Sequence, residues 1–160
     1  MIDVDIEDTM LNTLRDRVIE AAPEFAGRIE VDDAFPLEAS GWPCIRVQCP
    51  NTGFVHEGHQ VPGKRRTKAT ALVRVSIIHD ARDGGVGAAQ RDIAKRIRKH
   101  LADDPYLTQP DGTAILSDLF LEAIGADTVA HRGAVVAVRQ LIFSAQYRTR
   151  ENNPAAPMHG

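Results

Sequence analysis

The run from Ala134 to Thr149 constrains the fold more than any other part of the sequence. Its apolar side chains fall on both parities, with Val135, Ala137, Leu141, Phe143, Ala145 and Tyr147 on one and Val136, Val138 and Ile142 on the other. Side chains of a strand point alternately to the two faces of a sheet, so this pattern predicts a strand buried on both faces. Such a strand lies in the centre of a sheet, or another subunit covers its edge.

The remaining periodic segments predict the other elements of an α+β fold. Apolar residues recur at helical spacing over 9–22, capped by Asp8 or Thr9, and again over 88–102. Strands are predicted at 28–33, 44–49, 67–79 and 134–149, with a strand or mixed segment at 115–126. The order α-β-β-β-α-β-β predicts a mostly antiparallel or mixed sheet of four to five strands, with both helices packed on one face.

The chain of 160 residues fits a single domain, which we place at 1–150. Within it, residues 51–66 hold three glycines and no usable period, and they predict a long mobile loop. Residues 151–160 are polar and Pro-rich, and they predict a flexible tail.

The cysteines and the lengths of the apolar runs indicate in which cellular compartment the protein is made. Cys44 and Cys49 lie five residues apart in one predicted strand, so they are expected on opposite faces and unable to bridge each other. No run reaches the roughly 18 apolar residues of a membrane helix, and the acidic start does not resemble a signal peptide. We therefore expect a soluble protein made in a reducing cytoplasm, with no membrane partner.

Three segments match known binding motifs only in part. Each lacks a residue type, a spacing or a structural context that the motif requires. Residues 58–64 match most of a phosphate-binding loop, but Arg65 stands where Ser or Thr would hold magnesium, and a strand follows instead of a helix. The turn at 85–90 has Gln90 where a dinucleotide-binding turn needs Gly or Ala. The histidines of 56–59 are three apart, not four as in a zinc-binding helix. We expect no catalytic residues, no cofactor and no metal, and hence no enzyme.

Charge is divided unevenly along the chain. Residues 1–40 carry a net charge of −8, residues 41–100 carry +8, and residues 101–160 carry −3. Such asymmetry suggests self-complementary surfaces or an anionic partner; pairing inside one molecule would instead cancel it. The predicted basic interface consists of Lys64, Arg65, Arg66, Lys68, Arg91, Lys95, Arg98 and Lys99. The predicted acidic interface consists of Asp3, Asp5, Glu7, Asp8, Asp32 and Asp33.

Several segments together carry a family resemblance. They are TLRDRVIEA, PCIRVQCP, GKRRTK leading into TALVRVSIIH, IAKRIRKHL with DPYL, and the closing VVAVRQLIFSAQYRT, spanning about residues 9–149. In this layout the chain resembles the tail terminators of long-tailed bacteriophages, the minor tail protein U-like family. Head–tail connector and neck proteins have a similar size and element order, and they remain the alternative.

The resemblance implies a structural role in a virion. Proteins of this family are similar to small α/β subunits that close into a six-fold ring, stop tail-tube polymerisation and meet the neck of the head. The implied partners are further copies in a homohexamer, the tail tube protein and a neck or connector protein, with DNA passing through the lumen. The implied location is the tail–neck junction, after assembly in the host cytoplasm. A nucleic-acid-binding α+β module that uses the same basic residues is the competing function.

Overall fold

The computed structural model describes residues 5–31, 41–57, 66–131 and 133–150. Their elements are α1 (Ile6–Ala21), a short 3-10 turn (Pro23–Phe25), β1 (Ile29–Val31), β2 (Cys44–Glu57), β3 (Arg66–Asp80), α2 (Val86–Asp103), β4 (Asp118–His131) and β5 (Ala134–Arg150). The predicted α+β class and the order α-β-β-β-α-β-β are confirmed.

The five strands form one mixed sheet in the order β1-β2-β3-β5-β4. β1 runs parallel to β2 over three residues, and the other three pairings are antiparallel. β5 lies between β3 and β4, which confirms the central position predicted for it from its two-sided apolarity. The two outermost strands are β1 and β4.

Both helices pack on the same face of this sheet. α1 lies over β1 and β2, and α2 lies over β3, β5 and β4. The core between them contains fully buried aliphatic side chains from both layers, among them Met10, Leu14, Val18, Ile45, Val75, Ile77, Ile97 and Leu141. A smaller cluster of Trp42, Cys44, Ile78, Val136 and Val138 covers part of the opposite face. Burial of apolar surface at about 25 cal/mol per Å² therefore holds the helices to one face.

α1 begins three residues earlier than the sequence predicts. Asp5 is its N-cap, and one carboxylate oxygen accepts a hydrogen bond from the Glu7 backbone N–H at 3.0 Å. The cap predicted at Asp8 or Thr9 is wrong, because Ile6 is buried and adds a further turn to the apolar stripe.

The loop predicted at 51–66 is wrong for its first seven residues. β2 continues through Pro50 to Glu57 and pairs with the first half of β3. The register shifts between Gln48 and Asn51, so Pro50 sits at an irregularity where a strand tolerates it. Residues 58–65, and the tail predicted at 151–160, lie outside the described residues.

The two cysteines face opposite sides of the sheet, as predicted. Cys44 packs in the Trp42 cluster, whereas Cys49 packs against the core under the helices, and both thiols are free. Burial raises the pKa of the Cys44 thiol to about 11. Neither thiol is therefore poised for reaction at neutral pH.

A buried polar contact joins α2 to the sheet. The Gln90 side-chain amide donates to the backbone carbonyls of Ile77 and Ala137, both at 3.0 Å, and it lies 3.3 Å from Nδ1 of His79. The His79 ring also meets the ring of Phe25 edge-on. Burial lowers the pKa of His79, partly offset by Asp83, so the imidazole is neutral at pH 7.

Candidate assembly surfaces

The outer edge of β4 is the longest open strand edge in the described part of the chain. β4 has 14 residues and pairs with β5 on one side, and no described strand pairs with its other side. A row of unpaired backbone N–H and C=O groups is a template for pairing with another chain.

The side chains of β4 do little to block such pairing. From Glu122 to Ala130 no side chain is buried, and Ile124 and Val129 are about 41% and 40% exposed. The strand contains no Lys, Arg or Pro, the residues that usually protect an edge. Its protective features are three acidic side chains and one register irregularity after Leu121.

A second open edge lies on the opposite side of the sheet. β1 pairs with β2 only over Ile45–Val47, so no described strand pairs with the segment Asn51–Glu57 of β2 on that side. Phe54 and Val55 lie on this segment and are 60% and 65% exposed. We call Asn51–Glu57 the β2 arm.

The two open edges share three rows of the sheet, those of Asp118, Leu119 and Phe120. One row runs Leu119, Ala145, Ala71 and Thr52 from β4 to β2, because each of these residues pairs with the next. The next row runs Phe120, Ser144, Leu72 and Asn51 in the same way. The first three residues of β4 therefore lie level with Asn51–Gly53, whereas the row of Ile124 ends at Val47, which pairs with β1.

A groove rimmed by basic side chains accompanies the β4 edge on the helix-covered face. Its volume is about 640 Å³, and α2 contributes Lys95, Arg98 and Lys99 to the rim. Leu119, Leu121 and Phe143 are among its apolar lining residues. We call this the basic groove. An apolar floor with cationic rims suits an extended or helical segment that carries acidic side chains.

The opposite edge is flanked by acidic side chains on the same face. Asp5, Glu7 and Asp8 form the first turn and cap of α1, which packs over β1 and β2. Burial, with a hydrogen bond to Glu7, raises the pKa of Cys49 to about 12. The Cys49 sulfur also lies 3.4 Å from the hydroxyl of Thr52, which belongs to the β2 arm. Cys49 thus interacts with both Glu7 and Thr52, and this places the acidic end of α1 beside the β2 arm.

Part of the charge asymmetry is cancelled within the molecule, as the alternative interpretation required. Arg96 of the basic segment pairs with Glu24 of the acidic segment. Two further contacts leave the counted difference between these segments unchanged: Arg17 pairs with Asp104 at 3.1 Å, and His100, counted as neutral, lies 2.7 Å from Glu20. These contacts join α1 to α2 and its C-terminal end. Hydrogen bonds to His100 and Arg96 lower the pKa values of Glu20 and Glu24 respectively.

The predicted interface residues fall into three groups. Arg91, Lys95, Arg98 and Lys99 are all exposed on α2 and make no ion pair with any residue that the structure describes. Arg66 and Lys68 open β3, opposite the β2 arm. Asp5, Glu7 and Asp8 lie at the start of α1. The positions outside the described residues are Asp3, Asp32, Asp33, Lys64 and Arg65.

Sequence reasoning missed the strand edges themselves. The sequence pattern predicts a loop where the β2 arm lies, and it predicts that β4 begins three residues before its observed start at Asp118. The missed signal in β4 was an apolar segment lacking Lys, Arg and Pro after Glu122.

No group of three or more His, Cys, Asp or Glu side chains among the described residues could hold a metal ion. No helix in the described part of the chain is long and apolar enough to cross a membrane.

Comparison with known proteins gives a likeness of fold. No protein-family model and no curated protein matches the chain. The chain is similar to a solved chain described as "Virion of native gene transfer agent (GTA) particle". The two chains are 16% identical and superpose with a TM-score of 0.48. The match covers 85% of this chain and 95% of that one. A second solved chain matches at 12% identity and a TM-score of 0.42, covering 89% of this chain and 94% of that one. Both likenesses concern the path of the backbone.

Proposed function

We propose that this protein is a structural virion subunit of a tailed phage or phage-like particle. In this role copies of the chain form a ring, expected to be hexameric, that ends tail-tube polymerisation and joins the tail to the neck or head. Its partners are further copies of itself, the tail tube protein and a neck or connector protein, and DNA passes through the lumen. It acts without catalysis and without a cofactor.

The observation that carries this proposal is the pair of strand edges, on opposite sides of one sheet, that no strand pairs with in the described part of the chain. A ring requires two different and complementary surfaces on each subunit, so that every copy offers one surface to each neighbour. The outer edge of β4 and the β2 arm supply two such surfaces. The element order of the resemblance, which the structure reproduces, agrees with the same role.

The basic residues at the start of β3 are assigned to a neighbour, the tube subunit or DNA. Arg66 and Lys68 lie at the start of β3, opposite the β2 arm, and Lys64 and Arg65 precede them in the sequence. Reversing all four charges should impair ring formation or tail joining at physiological salt. Normal rings and normal joining by that variant would contradict this assignment.

A tail-assembly reaction tests the function directly. Purified protein is added to polymerising tail tube subunits, and tube length and tube ends are examined by electron microscopy. We expect shorter tubes, each with a cap of density at one end. Tubes of unchanged length with bare ends would contradict the tail-terminator function, and binding to purified necks alone would favour the neck protein.

The unpaired bases of α2 favour a second candidate, a nucleic-acid-binding module. Arg91, Lys95, Arg98 and Lys99 would contact phosphates, and binding would fall steeply with salt because counterions are released. DNA binding by the isolated protein, lost in a variant with all four bases changed to Gln, would support this candidate. Arg82→Gln, at a base already paired with Asp80, is the matched control.

A further inference from the structure

We propose that this chain carries a binding site for a carboxylate on the face of the sheet opposite the helices. A cleft of about 400 Å³ lies on that face, and Arg46, Arg74, Ser76 and Gln140 line its polar side. We call it the arginine cleft. Its ligand is a carboxylate joined to a short apolar group, supplied by a small free acid or by an acidic side chain of another chain. Such a site goes beyond the proposed function, because it requires neither a ring nor a tail tube.

The strand register brings these polar side chains together. Arg46 pairs with Ser76 and Ser76 with Gln140, so the three form one row across β2, β3 and β5. Arg74 lies two residues before Ser76 on β3, which makes it a diagonal neighbour of Arg46, about 7–8 Å away. The residues on either side of Ser76 pack under the helices. Because successive side chains of a strand alternate between the faces, Arg74 and Ser76 point away from the helices.

The arginine cleft carries an excess of positive charge. Arg46 is 7% exposed and Ser76 is 3% exposed, so the Arg46 guanidinium has lost most of its contact with water. Arg46 takes part in other interactions as well. Arg74, in contrast, makes no ion pair with any residue that the structure describes, and its Nε is buried without a hydrogen-bond partner among them. Burying such a group without a partner is costly, and a bound anion would remove that cost.

Asp127 does not neutralise both arginines. It is the one acid among the described residues that line the cleft, and its exposed carboxylate accepts a hydrogen bond from the Thr128 backbone N–H at 2.8 Å. Two arginines and one aspartate leave a net charge of +1 in the lining. A single carboxylate has the charge that balances it, and the planar forks of two guanidinium groups suit its two oxygens.

The remaining lining of the cleft includes apolar side chains. Ile78 and Val138 are buried, and Val129 on β4 is 40% exposed. These side chains can cover the hydrocarbon part of a ligand, and a volume of about 400 Å³ is in the range of small-molecule pockets. Phosphate fits less well, since a free phosphate has no apolar part and a phosphate of DNA carries a polar sugar on each side. The lining therefore favours a carboxylate on a short apolar group.

Titration with hexanoate tests the site, with the backbone amide signals of isotopically labelled protein followed by NMR. We expect saturable shifts of the amides around the cleft on β2, β3 and β5, with a dissociation constant of about 1 mM for a ligand of this size. Hexanamide has the same shape without the charge, and it should bind about tenfold more weakly or worse. Absence of saturable shifts with hexanoate, equal binding of hexanamide, or tighter binding of inorganic phosphate would overturn the proposal.

An arginine on the other face of the sheet provides a matched control. Arg74→Gln should raise the dissociation constant for hexanoate by about tenfold or more, because it removes one of the two guanidinium groups. Arg139 pairs with Ile77, which packs under the helices, so its side chain lies on the helix-covered face. Its Nε is also buried without a hydrogen-bond partner in the described part of the chain. Arg139→Gln should leave hexanoate binding unchanged, and equal weakening by both variants would count against the cleft.

A substitution that keeps the shape of the side chain tests the charge requirement, even if Arg74→Gln does not fold. Gln140→Glu adds a negative charge to the lining and should weaken hexanoate binding by about tenfold or more. The control is Gln146→Glu, at a position on the same strand and the same face that does not line the cleft. Unchanged binding by Gln140→Glu, with folding verified from the amide spectrum, would contradict a site for an anion.

A short peptide identifies the source of the carboxylate. The probe is a blocked Val-Glu-Val tripeptide, and the same peptide with Gln in place of Glu is its control. Shifts of the cleft amides by the Glu peptide alone would assign the site to an acidic side chain of another chain. Binding of hexanoate without binding of either peptide would assign it to a small free acid. Equal shifts by both peptides would show that the carboxylate is not what the cleft recognises.

Discussion

β3 and residues Glu122–Ala130 of β4 belong to the same sheet, but β3 is buried and Glu122–Ala130 is exposed. β3 has a strand on each side, and Ala69, Ala71, Val73, Val75 and Ile77 are fully buried under the helices. Within the described part of the chain β4 has a strand on one side only, and none of its side chains from Glu122 to Ala130 is buried. Both carry apolar residues, but those of β4 contribute little to the folded monomer. The difference indicates that β3 stabilises the fold and that the exposed part of β4 contributes little to it.

The largest expected difference in stability is between matched isoleucines of the two strands. Ile77→Ala on β3 should lower the free energy of unfolding by about 2–5 kcal/mol, because it leaves a cavity in the core. Ile124→Ala on β4 should change it by about 0.5 kcal/mol or less, because that side chain is half-exposed. Urea denaturation at low protein concentration measures both. Similar losses for the two variants would show that β4 is part of the stable core.

The next effect concerns the buried amide that ties α2 to the inner strands. Gln90→Met keeps the side-chain volume but removes the donor to the carbonyls of Ile77 and Ala137, and it should cost about 1–3 kcal/mol of unfolding free energy. Arg91→Met, at the exposed neighbouring position, is the control. If both variants unfold at the same urea concentration, the Gln90 hydrogen bonds contribute nothing measurable.

A smaller effect should appear as a dependence of stability on pH. Burial lowers the pKa of His79 below its ordinary value of 6.5. The unfolded chain therefore binds a proton first, so stability is complete above 6.5 and declines as pH falls below it, toward the folded pKa. Urea unfolding between about pH 7.5 and pH 5 tests this above the ordinary pKa of Glu20 and Glu24. His79→Gln should show a shallower decline, and an unchanged slope would contradict the assignment.

The smallest effect is expected for the surface ion pairs between the helices. Glu24→Gln removes the carboxylate that pairs with Arg96, and because both side chains are more than a third exposed it should cost at most about 1 kcal/mol. Asp92→Asn, which removes the other partner of Arg96 within α2, should cost about 0.3–0.5 kcal/mol. The loss should shrink at high salt, and a loss that is independent of salt would indicate a packing effect instead.

Much of the fold could be predicted from periodicity. The alternation of Ala69, Ala71, Val73, Val75 and Ile77 identified β3 to within a residue at each end, and the two-sided apolarity of β5 identified it as central. The boundaries of α1 and β2 were harder to predict. Ile6 belongs to the helix because it is buried against the sheet, and the β2 arm is a strand because it pairs with distant residues of β3. The residues near Ile6 and the β2 arm in the sequence do not reveal these distant contacts.

The candidate site could be predicted only in part. The exposed bases of α2 follow from their helical spacing, opposite the apolar stripe of Ile93, Ile97 and Leu101. Their neighbours in the basic groove, Leu119 and Phe143, lie on β4 and β5. The order of these strands in the sheet cannot be predicted from the spacing of apolar residues along the chain. Glu20 and Glu24 were counted in the acidic excess, yet the fold pairs them with α2.

The sequence by itself determined the element order, the central place of β5 and the division of charge along the chain, because these depend on side-chain periodicity and residue type. Only the tertiary structure decided which charges cancel and which strand edges stay open. Both outcomes depend on the order of strands in the sheet and on the placement of α1 and α2 side by side on one face, α1 over β1 and β2 and α2 over β3, β5 and β4. Long-range packing sets that arrangement, because it brings together residues that are far apart in the sequence.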